Sequence, residues 1–426
     1  MTLVIIGITV VLFAIGFEML LVLGIPSLLL KLAYFPHMPN EVLLQKMVAG
    51  MNHSTLMAIP FFILAAETMV QGQIAPRLTN LVRVFIGHYR GGVGSTTVAT
   101  AMVFGSVSGS AAATVSAIGR IMYPELRKNG YSERFSIGLI AAGSETALLI
   151  PPSITVIIYG WLTGASITKL FAAGLIIGLV LGGLFIGYVV IQSIRHDVGR
   201  LERQGLAVRW KALKEASWAL GMPVIILGGI YSGMFTATEA AAISVVYALI
   251  VEGLVYRELT LRQLADIVEG AAITSCIIFV LIGMGSILAF FLTLFQIPTL
   301  IIEVLDQLGG ELLIFLLVVN ITFIIAGMFL DPASAQLILV PALFPAAVAL
   351  GVDPIHFGMI VTMNIAMAMI TPPFGLDLFV ASSALNKPIA LVIQSVLPFI
   401  VVNLIVLALV TAIAPLSTFF PRLLGL

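Results

Sequence analysis

Long apolar runs alternate with short polar connections along the chain, and this pattern predicts membrane-spanning helices. Apolar runs of 18 to 30 residues recur, for example Leu3 to Leu30, Leu170 to Ile194 and Leu385 to Ala414. Each run is long enough to cross a bilayer core of about 30 Å at about 1.5 Å per residue. The first run has no basic start and no small-residue cleavage site, so we expect a retained span rather than a signal peptide. The expected fold class is an all-α polytopic membrane protein.

A helix interrupted by two prolines occurs twice, which predicts two structural copies. The sequences are AAGSETALLIPPS at Pro151–Pro152 and MNIAMAMITPPFG at Pro372–Pro373, 221 positions apart. Tyr123–Pro124 and Phe344–Pro345 repeat at the same offset. Coincidence among common apolar residues is the alternative, but it does not account for several matches in one order. The predicted organisation is a first copy at 1–193, a basic connector at 194–216 and a second copy at 217–426.

Charge placement predicts a re-entrant hairpin in the first copy. The connector carries six Lys and Arg residues between Arg195 and Lys214, so the positive-inside rule makes it cytoplasmic. The 29 uncharged residues between Arg90 and Arg120 have basic flanks on both sides, and the chain must therefore enter and leave by one face. A straight helix of this length would span about 44 Å, which exceeds the core of about 30 Å. We expect a helical hairpin at about 91–119 and a broken helix at about 135–165.

The second copy carries the opposite charges and is predicted to be inverted. No Lys or Arg occurs from Gln263 to Asn386. A second hairpin at about 312–352, followed by a broken helix at about 354–385, is expected to enter from the outer face. Two inverted repeats around a midplane site are the arrangement of many secondary transporters. The orientation of the first 75 residues stays open, because Lys31 and Lys46 oppose it. The acidic flanks of the second hairpin are Glu303, Asp306, Glu311 and Asp353.

Composition excludes an ordinary soluble domain. Sixty per cent of the residues are apolar, nine per cent are charged and the mean hydropathy is +1.17, whereas soluble domains are typically about 25% charged. The single cysteine, Cys276, excludes an intrachain disulfide, and the five histidines show no metal-ligand spacing. The net charge of zero gives no support for a nucleic-acid partner. We expect no cofactor apart from coupling ions.

The first hairpin and the first break together predict a cation site. Gly105 to Ser110 is the expected tip, and it carries Ser106 and Ser108. The break at Pro151–Pro152 removes two backbone donors and frees carbonyl groups near Ala147 to Leu149. Converging carbonyl and hydroxyl oxygens suit a hard cation such as sodium. The alternative is that these small residues only allow helices to pack closely.

The second copy offers a matching cation site around Asp331, which lies in an otherwise uncharged run from Leu312 to Val352. An ionisable group at membrane depth is costly, so it is a functional candidate. Hydroxyl groups at Ser334 and Thr371, with carbonyls freed before Pro372, complete the predicted set. The alternative is that Asp331 only caps the next helix, with proline at its first position.

Broken-helix N-termini also attract anions, which predicts a substrate carboxylate near the breaks. Glu145 and Asp377 are further polar residues in apolar surroundings, and no role is assigned to them. The candidate substrate-binding residues are Ser110, Thr114, Ser153, Thr155, Ser334 and Asn364.

Four separated motifs resemble one family over essentially the whole chain. They are GSVSGSAAATVSAIG, GSETALLIPPS, GMFLDPASAQLILVP and ITPPFGLDLF. Together they resemble the large membrane subunit of the tripartite ATP-independent periplasmic (TRAP) transporters. The resemblance implies a bacterial inner-membrane symporter of the ion-transporter superfamily that works by an elevator mechanism and uses a sodium gradient.

The same resemblance implies partners, substrates and sodium ligands. The partners would be a separate small four-helix membrane subunit and a periplasmic binding protein that delivers an organic acid, such as a C4-dicarboxylate or sialic acid. One sodium site would use Ser106 and Ser108 with the backbone around Gly143 and Pro151. The other would use Gly327, Asp331 and Thr371 with the backbone near Pro373.

Three other functions were weighed against a sodium-coupled tripartite carrier. A channel needs a continuous polar pore, whereas the polar residues here concentrate at two breaks. An intramembrane enzyme needs a nucleophile with a base or a metal, and the sequence has no Gly-x-Ser-x-Gly or His-Glu-x-x-His motif. A stand-alone sodium-coupled carrier of the same superfamily stays open as the alternative.

Overall fold

The computed structural model describes residues 11–12, 17–257, 259–307 and 312–426, and all regular structure within them is helical. Eight helices in these ranges are long and apolar enough to cross a membrane. This confirms the all-α polytopic fold class. Predicted features at the start of the chain, and the acidic flank Glu311, lie outside the described residues.

The α-helices that precede the connector are Met19–Tyr34, Asn40–Met51, Ala58–Gln71, Ile74–Ile86, Gly92–Ser108, Ala111–Lys128, Glu133–Ser144, Thr146–Leu149, Ile154–Thr163 and Ile167–His196. The helices that follow are Leu206–Tyr231, Ala237–Ile250, Leu261–Leu294, Ile297–Gln307, Leu312–Gly327, Pro332–Ala349, Pro354–Ala368, Leu376–Leu385, Ile389–Ala412 and Pro415–Leu423. A 3-10 turn at Ser54–Met57 and a π-helical turn at Val251–Val255 complete the regular structure of the described chain.

The first hairpin consists of Gly92–Ser108 and Ala111–Lys128 and turns at Gly109. Gly109 has a φ of 58°, a left-handed conformation that glycine adopts without steric cost. Ser110 then starts the second arm, because its hydroxyl accepts a hydrogen bond from the Ala113 N–H at 3.3 Å. The turn lies within the predicted tip from Gly105 to Ser110, and the second arm continues nine residues beyond the predicted end at 119.

The second hairpin consists of Leu312–Gly327 and Pro332–Ala349. Asp331 caps its second arm by accepting a hydrogen bond from the Ser334 N–H at 3.2 Å, and Pro332 occupies the first helical position. The two arms start 220 and 221 positions after those of the first hairpin. The structural elements thus repeat at the spacing of the sequence motifs.

The two broken helices run antiparallel to each other. The first comprises Glu133–Ser144, Thr146–Leu149 and Ile154–Thr163, and the second comprises Pro354–Ala368 and Leu376–Leu385. At one end, Lys387 Nζ lies 2.6 Å from Glu133 Oε1, and this hydrogen bond raises the pKa of Lys387. At the other end, the Tyr159 hydroxyl donates a 2.7 Å hydrogen bond to the Pro354 carbonyl. The start of each broken helix therefore lies beside the end of the other, as inverted copies require.

The connector between the copies is shorter than predicted. The preceding helix ends at His196 and the next begins at Leu206, inside the predicted connector at 194–216. Leu206 to Lys214 are helical because this basic segment is amphipathic: Ala212 is buried against Leu81 and Val84 while its charged neighbours stay exposed. The exact borders of the copies, 193 and 217, remain a prediction.

A separate group of helices packs around the hairpins and broken helices. Leu261–Leu294, the longest helix described, contacts Met19–Tyr34, Asn40–Met51 and Ala58–Gln71. It also meets the second hairpin at Gly285, where a Cβ would lie 2.8 Å from the Leu337 Cβ. The outer helices therefore approach the second hairpin through a position without a side chain.

Cysteine labelling tests the inverted hairpins. We expect Tyr89→Cys and Lys128→Cys, at the exposed outer ends of the first hairpin, to react with an impermeant maleimide only from the cytoplasmic face. Ala349→Cys, at the exposed end of the second hairpin, should react only from the periplasmic face. The measurement uses a Cys276→Ser background in inside-out and right-side-out vesicles. Opposite accessibility of positions 89 and 128 would contradict the re-entrant hairpin.

Candidate cation and substrate sites

The tip of the first hairpin closes directly onto the first break. A Cβ on Gly105 would lie 2.6 Å from the Ala147 Cα, and a Cβ on Gly109 would clash with the Pro152 carbonyl oxygen. Pro151 and Pro152 have no N–H, so the carbonyls of Ala147 and Leu148 lose their usual helical donors. Backbone oxygens of the break therefore lie against the hairpin tip inside the protein.

The hydroxyl groups predicted for the first cation site are buried at this contact. Ser106 donates to the Val103 carbonyl at 2.6 Å, and the Ser108 and Thr114 hydroxyl oxygens are 3.1 Å apart. Thr114 also donates to the Ser110 carbonyl at 2.8 Å. A hydroxyl that donates to a carbonyl still has lone pairs for a cation. The hairpin thus presents acceptors where the sequence predicted them.

Gly143 and Pro151, the predicted backbone contributors, are both buried in the first broken helix. The Gly143 carbonyl accepts a 2.7 Å hydrogen bond from the Thr146 hydroxyl. This bond uses one lone pair of the carbonyl oxygen and leaves the second for another partner.

The second site combines Asp331 with the second break. A Cβ on Gly327 would lie 2.6 Å from the Ala368 Cβ, so this hairpin also packs closely on its broken helix. Asp331 uses one carboxylate oxygen as the helix cap, while its Oδ1 is buried and has no hydrogen-bond partner among the described residues. The two sequence interpretations of Asp331 are therefore compatible: one oxygen caps the helix and the other is available to a ligand.

A chain of amides extends the second site towards the centre of the protein. Asn364 donates through its side-chain amide to Asn320 Oδ1 and to the Ile360 carbonyl, both at 2.8 Å. Asn320 in turn donates to the Thr411 hydroxyl at 3.0 Å. The oxygens Asn364 Oδ1 and Gln336 Oε1 are buried and have no hydrogen-bond partner within the described ranges. Unsatisfied buried oxygens are costly, and they indicate positions at which a ligand would be stabilised.

The two breaks differ in their exposure. Pro151 and Pro152 are buried, whereas Pro373 and Phe374 are exposed. Thr371 is buried and donates to the Met367 carbonyl at 2.7 Å. The second break is therefore the more open of the two in this conformation.

The candidate substrate residues fall into two groups. Ser110 and Ser153 cap the helices that follow the first tip and the first break, and Thr114 and Thr155 lie in the first turns of those helices. Asn364 does not lie at a helix N-terminus as predicted, because the helix runs unbroken from Pro354 to Ala368 and Asn364 is internal to it.

A cleft lies on the side of the protein that carries the basic clusters. It has a volume of about 640 Å³ and lies between the second arm of the first hairpin and the helix Leu376–Leu385. Arg120 is its one charged lining residue, beside Ser116, Ser383 and Asn386. Arg120 follows the hairpin tip by ten positions, about 15 Å along the helix.

Asn403 is a buried polar residue whose role was not predicted from the sequence. Asn403 is fully buried in Ile389–Ala412, a helix that reads as an ordinary apolar span. It donates a 2.8 Å hydrogen bond to Glu145 at the first break. The sequence signal for a buried contact at this position is the occurrence of one asparagine within an apolar run.

Comparisons with known proteins agree with this architecture. Residues 6–416 match the sequence profile described as "Tripartite ATP-independent periplasmic transporter, DctM component". The ectoine/5-hydroxyectoine TRAP transporter large permease UehC of Ruegeria pomeroyi is 39% identical, with 93% of this chain and 92% of that protein covered. The C4-dicarboxylate TRAP transporter large permease DctM of Rhodobacter capsulatus is 35% identical, with 100% and 99% covered.

A solved structure shares the fold at low sequence identity. The YdaH transporter of Alcanivorax borkumensis aligns with a TM-score of 0.63 and 15% identity, covering 100% of this chain and 98% of that one. This likeness concerns the fold alone.

The family match spans nearly the whole chain, and the described helices include eight candidate spans, which indicates a multi-pass protein of the bacterial inner membrane and not an enzyme. The chain belongs to the DctM family and is a large membrane permease component of a tripartite ATP-independent periplasmic transporter.

Proposed function

We propose that this permease couples the inward movement of sodium ions to the uptake of a small organic acid. The observation that carries the proposal is that each hairpin tip closes onto a helix break beside buried oxygen atoms. Hydroxyl and carbonyl oxygens at the first break, and the Asp331 carboxylate at the second, are the ligand types that hard cations prefer. Two such sites bind at least two sodium ions.

The substrate is proposed to be a small solute that carries an acidic group. Relatives are named for C4-dicarboxylates, for ectoine, which is a zwitterion with a carboxylate group, and for isethionate, which is a sulfonate. The helix N-termini capped by Ser110 and Ser153 favour an anion electrostatically. Arg120 provides the positive charge of the cleft through which the solute would leave. Sialic acid, expected from the resemblance, has no such support and is the weaker candidate.

The other two components are proposed to be a small membrane subunit and a periplasmic binding protein. The family description is tripartite, and relatives are named as large permeases, which requires a smaller counterpart. The apolar outer helices leave large side chains exposed, among them Trp218 and Val224 in Leu206–Tyr231. Lipid or the small subunit would cover this surface.

Transport is proposed to follow an elevator mechanism. The hairpins and broken helices form one packed group, joined by Glu133–Lys387 and Tyr159–Pro354. The outer helices approach this group through the small residue Gly285. A close approach of helices at a glycine is compatible with sliding of one group past the other.

Sodium-dependent uptake tests the proposal. In proteoliposomes with the small subunit and the binding protein, we expect Asp331→Asn to raise the sodium concentration for half-maximal uptake by about tenfold or more, because a charge-assisted ligand is lost. The matched control is Asp353→Asn. Asp353 caps the next helix in the same way, accepting from Ile355 N–H at 2.8 Å, but lies away from both tips.

Two results would contradict the proposal. Uptake that persists unchanged when potassium replaces sodium would exclude sodium coupling. Equal uptake with and without the binding protein would favour the stand-alone carrier.

The first cation site is tested by Ser106→Ala with Ser108→Ala. We expect half-maximal sodium to rise about thirtyfold, since each of the two lost hydroxyls removes an oxygen contact worth about 1 kcal/mol. The control is Ser136→Ala, a buried serine that donates to the Ser132 carbonyl at 2.9 Å far from the tip. An unchanged sodium requirement in the double variant would leave close helix packing as the role of these serines.

Arg120→Gln tests the cleft. We expect the KM for substrate to rise about three- to tenfold, a range limited by the exposure of this arginine to solvent. The sodium requirement should stay the same, because Arg120 lies about 15 Å along its helix from the tip. Lys128→Gln, on the same helix but outside the cleft, is the control. An unaltered KM in Arg120→Gln would exclude a contact between Arg120 and the substrate.

A further inference from the structure

Two buried carboxylates belong to neither hairpin site. Glu145 lies at the first break, between Glu133–Ser144 and Thr146–Leu149, and Asp377 follows the second break in Leu376–Leu385. Both side chains are fully buried. The Asp377 N–H donates to the Met369 carbonyl at 3.0 Å, which holds this residue at its break. Met369 and Leu148 belong to one small buried cluster, which brings together the segments that precede the two proline breaks.

The side-chain amide of Asn403 lies beside Glu145. Asn403 is fully buried on Ile389–Ala412, and its amide nitrogen donates to Glu145 Oε2 at 2.8 Å. Asp377 lies on Leu376–Leu385, which packs against Glu133–Ser144, the helix that ends at Glu145. The oxygens left over are Glu145 Oε1, both carboxylate oxygens of Asp377 and Asn403 Oδ1, and none of them has a hydrogen-bond partner in the described part of the chain.

The negative charge of this group has no protein counter-ion. Across the described ranges, the salt bridges formed by basic side chains involve neither carboxylate. Lys387, the nearest basic residue in sequence to Asp377, is bound to Glu133 and follows Asp377 by ten positions, about 15 Å along a helix. Two buried carboxylates without a cation are strongly unfavourable. A bound cation, or protonation of the carboxyl groups, would offset this charge.

We propose that Glu145, Asp377 and Asn403 hold a third sodium ion, at the junction of the two copies. Carboxylate and amide oxygens are hard donors that suit sodium, and the four unpartnered oxygens supply enough ligands for a partial coordination shell. This inference rests on sodium coupling but goes beyond the two hairpin sites. Because Glu145 belongs to the first broken helix and Asp377 to the second, the ion ties the two copies together.

Equilibrium binding of radioactive sodium to the purified transporter, with its small subunit in nanodiscs, tests the site without transport. The paired variant Glu145→Gln with Asp377→Asn is expected to bind one sodium ion fewer per chain than the unmodified protein. Asn403→Ala keeps both carboxylates, and its affinity for one ion should fall about tenfold through loss of an oxygen ligand. This single variant carries the test if the paired variant is not monodisperse. Glu67→Gln is the control, a half-buried membrane glutamate away from the breaks.

Each outcome either supports or overturns the third sodium site. An unchanged sodium count in the paired variant, or unchanged affinity in Asn403→Ala, overturns the third site and means that protons neutralise the two carboxyl groups. Asp331→Asn, measured in parallel, separates this failure from failure of the proposed function. If Asp331→Asn lowers sodium binding and the other variants do not, only the third site is wrong. If no variant lowers it, sodium coupling itself is wrong.

Discussion

The structure depends on one constraint: every backbone N–H and C=O group inside the bilayer needs a partner that lipid cannot supply. Each proline pair breaks a helix and leaves carbonyls without donors. At the first break, the tip of the first hairpin covers those groups, and Gly105 and Gly109 allow the contact because any Cβ would collide with Ala147 or Pro152. The same contact that protects the break from lipid also collects oxygen atoms in one place. Stability and the proposed cation site thus have a common cause.

The antiparallel arrangement of the broken helices determines which groups meet. Hydrogen bonds at both ends, Glu133 with Lys387 and Tyr159 with Pro354, align the two helices so that their breaks lie at the same depth. Residues from separate copies, 221 positions apart in the motifs, are therefore brought to one level. Residues at the two breaks come close to each other only because the copies are inverted.

Much of this architecture is predictable from the sequence, since the repeated proline pairs and the charge-free stretch between Arg90 and Arg120 are local signals. A tip between Gly105 and Ser110 and, as one of two alternatives, a helix cap at Asp331 follow from the residue types alone. Contacts between copies were not predictable. Asn403 looks like one polar residue in an apolar span, and nothing in its neighbourhood indicates that it faces Glu145 from the other end of the chain. The helical start of Leu206–Tyr231 was not predicted, because its basic residues also fit a connector between the copies.

Electrostatics separates the roles of the buried acids. Asp331 is half-buried, and one of its carboxylate oxygens caps a helix. A cation bound by the other oxygen could leave through the open second break. Glu145 and Asp377 are fully buried between the two broken helices, which pack on each other. An ion at that junction would be harder to release than one at Asp331, because leaving would expose two like charges to each other in a low-dielectric interior. Under the proposed function, an ion at the hairpin site would exchange fast, and a slowly exchanging ion between the copies would keep the two breaks together while the group moves.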